Sequence, residues 1–153
     1  MTPMRRLVAL LIVASLALCA AVAQAAVPKG TYAGKFSDGG KVTLSVSKER
    51  KLIKLVRRGL KFTCTDGDKF ASLKSTATGD VDVADGDFDI SDTTENDAVT
   101  WKMTGKFSTK KRVVKGTYTE TRTFNSNDQL DPNGTVTCQT ASLTYRAALP
   151  KKR

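Results

Sequence analysis

Cysteine, lysine, arginine and aspartate carry whatever chemistry this chain can perform, because histidine is absent. Without an imidazole there is no Ser-His or Cys-His nucleophile pair and no His-ligated metal centre. The only glutamates are Glu49, Glu95 and Glu120, and none is set beside an aspartate among apolar residues, as a glycosidase dyad with a raised pKa would require. No Gly-rich phosphate loop or nucleophile elbow is present. These residues point to binding rather than to a reaction, so neither an enzymatic activity nor a cofactor is expected.

The cations fall into two groups. Lys48, Arg50, Lys51, Lys54, Arg57, Arg58 and Lys61 form the first, and Lys102, Lys106, Lys110, Lys111, Arg112 and Lys115 the second. Segregated charge of this kind steers an anionic partner to one surface, although charge runs are often no more than solvated strand faces. The anion-binding residues expected from the sequence are Lys48, Arg50, Lys51, Lys54, Arg57, Arg58, Lys61, Lys110, Lys111 and Arg112.

Acidic residues are segregated too. Asp80, Asp82, Asp85, Asp87, Asp89, Asp92, Glu95 and Asp97 occur with no basic residue among them. Carboxylates around Gly86 suggest a calcium loop, but the EF-hand register fails: with Asp80 first, the third ligand falls on Ala84 and the glycine comes late. Alternation gives a simpler account. Val81, Val83, Phe88 and Ile90 point inward, Asp80, Asp82, Asp87 and Asp89 point outward, Asp85-Gly86 makes a hairpin turn, and no metal is expected.

The N-terminus reads as an export signal. Arg5 and Arg6 precede the uncharged run Leu7 to Ala23, and Ala23-Gln24-Ala25 supplies the small residues of a cleavage site. The run is shorter than the roughly 20 residues of a membrane span, and the bulky Leu18 before Cys19 argues against lipidation. Residues 1–25 are therefore expected to be cleaved, leaving 26–153 as a single secreted domain without a transmembrane anchor. Loss of two arginines lowers the charge from +10 to about +8. Cys19 leaves with the signal, so Cys64 and Cys138 have only each other, and export favours a disulfide between them. Closing a loop of about 75 residues restricts the unfolded chain by roughly 4 kcal/mol in the loop-entropy model.

Period two dominates the remaining chain. Val42, Leu44 and Val46 alternate with Thr43, Ser45 and Ser47, and Val99, Trp101 and Met103 alternate with Thr100, Lys102 and Thr104. Turn clusters such as Ser37-Asp38-Gly39-Gly40 and Asp131-Pro132-Asn133-Gly134 separate the strands. Eight or nine strands are predicted, near 30–36, 41–47, 52–65, 69–75, 79–84, 87–91, 98–107, 112–124 and 134–147, with no helix. The fold class is all-β: an antiparallel barrel or a two-sheet sandwich with one disulfide. Within 52–65, Ile53 and Leu55 share one parity while Leu60, Phe62 and Cys64 take the other, so Gly59 is expected to form a bulge. In 112–124 one face carries Thr117, Thr119, Thr121 and Thr123. The other carries Tyr118, Glu120, Arg122 and Phe124, whose charges must be paired or line a cavity if they point inward. A strand this long is expected to project past the sheet and solvate them.

Gly34-Lys35-Phe36-Ser37 recurs as Gly105-Lys106-Phe107-Ser108, and Thr63-Cys64 as Thr137-Cys138. A duplication would make the disulfide a link between equivalent strands of two sheets, whereas chance reuse of common strand residues would not. With Gly30-Thr31-Tyr32, Cys64-Thr65-Asp66-Gly67, Gly86-x-Phe88 and Gly116-Thr117-Tyr118, the chain resembles small secreted all-β, single-disulfide domains of actinobacteria that have no assigned activity. The resemblance implies export, β architecture and the disulfide, and assigns no functional residue.

The functional expectation is an exported, non-enzymatic domain that binds an anionic envelope polymer, acidic polysaccharide, lipid headgroups or extracellular DNA without sequence specificity. The other reading is a barrel that inhibits a secreted hydrolase or carries a small apolar ligand.

Overall fold

A computed structural model describes residues 26–94, 96–108, 110 and 112–151. The expected signal segment, Glu95 and Lys111 lie outside the described residues. The described residues form eleven strands: β1 (Gly30–Phe36), β2 (Lys41–Val46), β3 (Lys51–Arg58), β4 (Lys61–Cys64), β5 (Lys69–Ala71), β6 (Ser75–Asp82), β7 (Asp87–Thr94), β8 (Val99–Ser108), β9 (Val113–Phe124), β10 (Val136–Gln139) and β11 (Leu143–Ala148). All pair antiparallel in one sheet. Among the described residues no helix is long and apolar enough to cross a membrane.

Strand β9 organises the sheet. One edge pairs with β8 along almost its whole length, while the other pairs first with β11 and then with β10. From β11 the order continues through β1, β2 and β3 to β6, and from β10 through β4 to β5. The free edges of β6 and β7 face each other across a cleft of about 460 Å³ lined by Leu52, Ala77, Val81, Ile90 and Trp101. No ladder joins them. The acidic stretch is therefore not a hairpin: Asp80 and Asp82 belong to an edge paired with β3, Asp87 and Asp89 to one paired with β8. The Asp85-Gly86 turn does form, with Gly86 at φ 87°, but the strands leave it toward different partners.

Three further expectations are corrected. The segment 52–65 is two strands, because Gly59 takes a φ of 71° and ends β3, so that β4 departs to pair with β10 and β5. The bulge lies instead at Ile53, where the register slips between Leu52 and Lys54, turning Ile53 to solvent and Leu52, Leu55 and Arg57 inward. The segment 134–147 likewise divides into β10 and β11, which serve β9 in succession. These two divisions account for eleven strands against nine.

Alternation places the core as expected. Val42, Leu44, Val46, Val99, Trp101 and Met103 are buried on one face, which folds over on itself so that Tyr32 meets Phe107 at 5.1 Å between ring centroids and Phe36 meets Tyr118 at 5.3 Å. Cys64 and Cys138 are directly opposed in register on β4 and β10 and form the disulfide. It joins neighbours within one sheet rather than equivalent strands of two.

Candidate anion-binding surface and interior charge cluster

The pairing registers create a feature that no single segment contains. Arg58 lies opposite Lys41, Lys41 opposite Lys35, Lys35 opposite Arg146, Arg146 opposite Lys115, and Lys115 opposite Lys106. Six cations from β3, β2, β1, β11, β9 and β8 thus stand in one transverse row, all exposed on the outer face. At a strand spacing of about 4.8 Å the row spans roughly 24 Å. Asp87 of β7 ends it, paired to Lys106 at 3.3 Å. Among the described residues no ion pair neutralises the other five. Like charges directly opposite one another across strands destabilise a sheet, so the row works against folding. Beside it runs a row of hydroxyls, Thr144, Thr117 and Thr104, with the last two hydroxyls 2.8 Å apart.

The expected anion-binding residues divide when placed in the fold. Arg58 belongs to the row, and Lys110 shares a surface groove with Lys106, Lys115 and Arg146. Lys48 and Arg50 sit in the β2–β3 turn, where Lys48 meets Glu49 at 3.6 Å. Lys51 is held by Asp80 at 2.8 Å, an interaction that raises its pKa through the hydrogen bond and the carboxylate charge. Lys54 lines the β6–β7 cleft, Lys61 stands on β4, and the half-buried Arg112 follows the β8–β9 turn. Lys111 lies outside the described residues. Sequence reading omitted Lys35, Lys41 and Arg146, which are isolated cations in their own segments; only the register assembles them.

Arg57 departs from this surface altogether. It is 4 % exposed, at the centre of an interior cluster with Tyr118, Glu120 and Arg122. Its Nη1 donates to the Tyr118 hydroxyl, which in turn donates to Glu120 Oε2, and its Nη2 donates to Ser75 Oγ at 2.8 Å. Glu120 is 1 % exposed, and its Oε1 accepts from Arg122 Nε at 2.8 Å and lies 2.6 Å from Arg122 Nη2. Strand β9 does not project into solvent here. Its even-numbered side chains keep facing inward, because Glu120 exchanges two hydrogen bonds with Thr140 where β11 gives way to β10. The guanidinium of Arg57 stacks on Trp101 at 4.8 Å, and that of Arg122 on Phe62 at 4.8 Å. Burial and the adjacent carboxylate push the Tyr118 hydroxyl far above the usual phenol range, keeping it a proton donor.

The four acidic strand residues named from the sequence are exposed, and three are engaged by lysines: Asp80 by Lys51, Asp87 by Lys106 and Asp89 by Lys102 at 3.0 Å. Comparison with protein-family models, curated proteins and solved structures finds no match.

Proposed function

We propose that this chain is an exported, non-enzymatic binding domain whose sheet curls into a barrel and presents the Arg58–Lys41–Lys35–Arg146–Lys115–Lys106 row to a linear anionic polymer of the cell envelope. The row itself carries the reading: six aligned, exposed cations, five of them without an ion-pair partner among the described residues, cost stability and are rewarded when a polyanion lies along them. The neighbouring threonines offer hydrogen bonds of the kind a glycan accepts and returns. The disulfide is compatible with an oxidising, extracellular location.

The test is retention on an immobilised acidic polysaccharide across a salt gradient. Retention should fall steeply with salt, and Lys35→Glu with Lys115→Glu should abolish it, while Lys48→Glu with Arg50→Glu changes charge equally but removes much less. Equal losses from the two pairs would mean that net charge, not the row, does the binding.

A further inference from the structure

The interior cluster goes beyond that reading. Two guanidinium groups, Arg57 and Arg122, share one carboxylate, Glu120, whose two oxygens are already occupied by Tyr118 and the arginines. The cluster therefore carries one excess positive charge, with Arg57 buried and Arg122 still 19 % exposed, and an excess charge on a buried guanidinium works against folding unless it is compensated. Among the described residues Arg57 Nε, although buried, has no hydrogen-bond partner.

A cavity of about 350 Å³ opens beside these groups, bounded by Arg57, Ser75, Thr94, Val99, Glu120 and Arg122. Its size falls within the roughly 300–1,000 Å³ of small-molecule sites. At its mouth stand Lys74 and Leu73, and Leu73 is 87 % exposed, an apolar side chain with nothing covering it. Leu130 completes the apolar side of the lining. Among the described residues Glu120 is the only carboxylate of the lining, against Arg57, Arg122 and Lys74.

We infer that this cavity binds a small organic monoanion, a carboxylate head directed at Arg57 and Arg122 with a short apolar tail against Val99, Leu130 and Leu73. The head supplies the missing negative charge, and the tail covers the exposed leucine. A neutral ligand of the same shape leaves the excess positive charge in place, and a cation adds to it.

Trp101, the only tryptophan in the chain, lies against Arg57 and reports on the site. Oxidised protein is titrated with hexanoate, hexanol, hexylammonium and inorganic phosphate, following tryptophan fluorescence and, in parallel, heat by calorimetry. Saturable hexanoate binding is expected, at least about tenfold tighter than hexanol, with no binding of hexylammonium. Lys74→Glu, on the exposed rim and unable to disturb folding, should weaken hexanoate about tenfold, and Arg57→Met should abolish it. Absence of hexanoate binding by both readouts, or hexanol binding equally well, would overturn the inference. Inorganic phosphate binding as tightly as hexanoate would overturn the role of the tail. Polysaccharide retention is read separately, so failure here is distinguishable from failure of the surface reading.

Discussion

Arg57 and Arg58 are adjacent on β3 and meet opposite electrostatic rules. Arg57 points inward, where a charge survives only with partners, and it has Tyr118, Ser75, Glu120 and the Trp101 ring. Arg58 points outward, where water solvates it, and it stands opposite another cation, Lys41. Arg57 gains from the hydroxyls, carboxylate and ring around it, whereas in the outer row only Lys106 meets an opposite charge, Asp87, and the other neighbours repel. Both places hold more cation than anion, but the interior engages each charge with fixed partners while the row leaves five of its six to water, so the row is where an extended polyanion has most to gain.

The comparison breaks most clearly at Glu120. Glu120→Gln removes the carboxylate shared by the buried Arg57 and the partly buried Arg122 and should cost about 3–5 kcal/mol in urea unfolding. A loss below about 1 kcal/mol would show that water, not Glu120, compensates the arginines. Arg57→Met leaves a neutral Glu120–Arg122 pair and should cost about 1–2 kcal/mol through the lost bonds to the Tyr118 and Ser75 hydroxyls, while Tyr118 keeps its bond to Glu120.

Alkaline pH probes the interior without mutation. The hydroxyls of Tyr32, Tyr118 and Tyr145, the only tyrosines, all have pKa values raised above the ordinary 10.0, with burial the largest cause. The unfolded chain releases these protons near pH 10 while the folded chain keeps them. The folded state then binds more protons, so stability falls as pH rises above 10. Tyr118 and Tyr145 should each contribute a loss of about 1.4 kcal/mol per pH unit, and tyrosinate absorbance should appear together with unfolding rather than before it. A tyrosinate signal in the folded protein near pH 10 would show the core to be open to water.

The smallest effect has the opposite sign. Lys35→Gln relieves repulsion from Lys41 and Arg146 and should raise stability by about 0.5 kcal/mol while weakening polysaccharide retention. Stabilisation with unchanged retention would separate the row's cost from any binding role.

Much of the fold was legible because period-two alternation decides which side chains enter a core. Val42, Leu44, Val46, Trp101 and Met103 needed no tertiary information. Nor did the disulfide, since only two cysteines remain beyond the expected signal. The same rule determined that Tyr118, Glu120 and Arg122 share a face, but not which face. That choice rests on the hand-over from β11 to β10 and on the Thr140 contacts, both of which lie in another segment. Arg57 read as one of a basic run because the Ile53 bulge, which resets parity, depends on slipped pairing with β2 and β6.

By itself, then, the sequence determined composition and parity: an all-β chain without imidazole chemistry, two cysteines able to pair, and alternating apolar and polar faces. Those properties are local, set by the backbone's two-residue repeat and by which residue types are present. The tertiary structure alone decided register, the property that puts Lys35 beside Lys41 and Arg146, and Arg57 beside Glu120. Register is fixed by hydrogen-bond pairing between strands far apart in the chain. Both candidate sites therefore exist only where that pairing has brought isolated charges together.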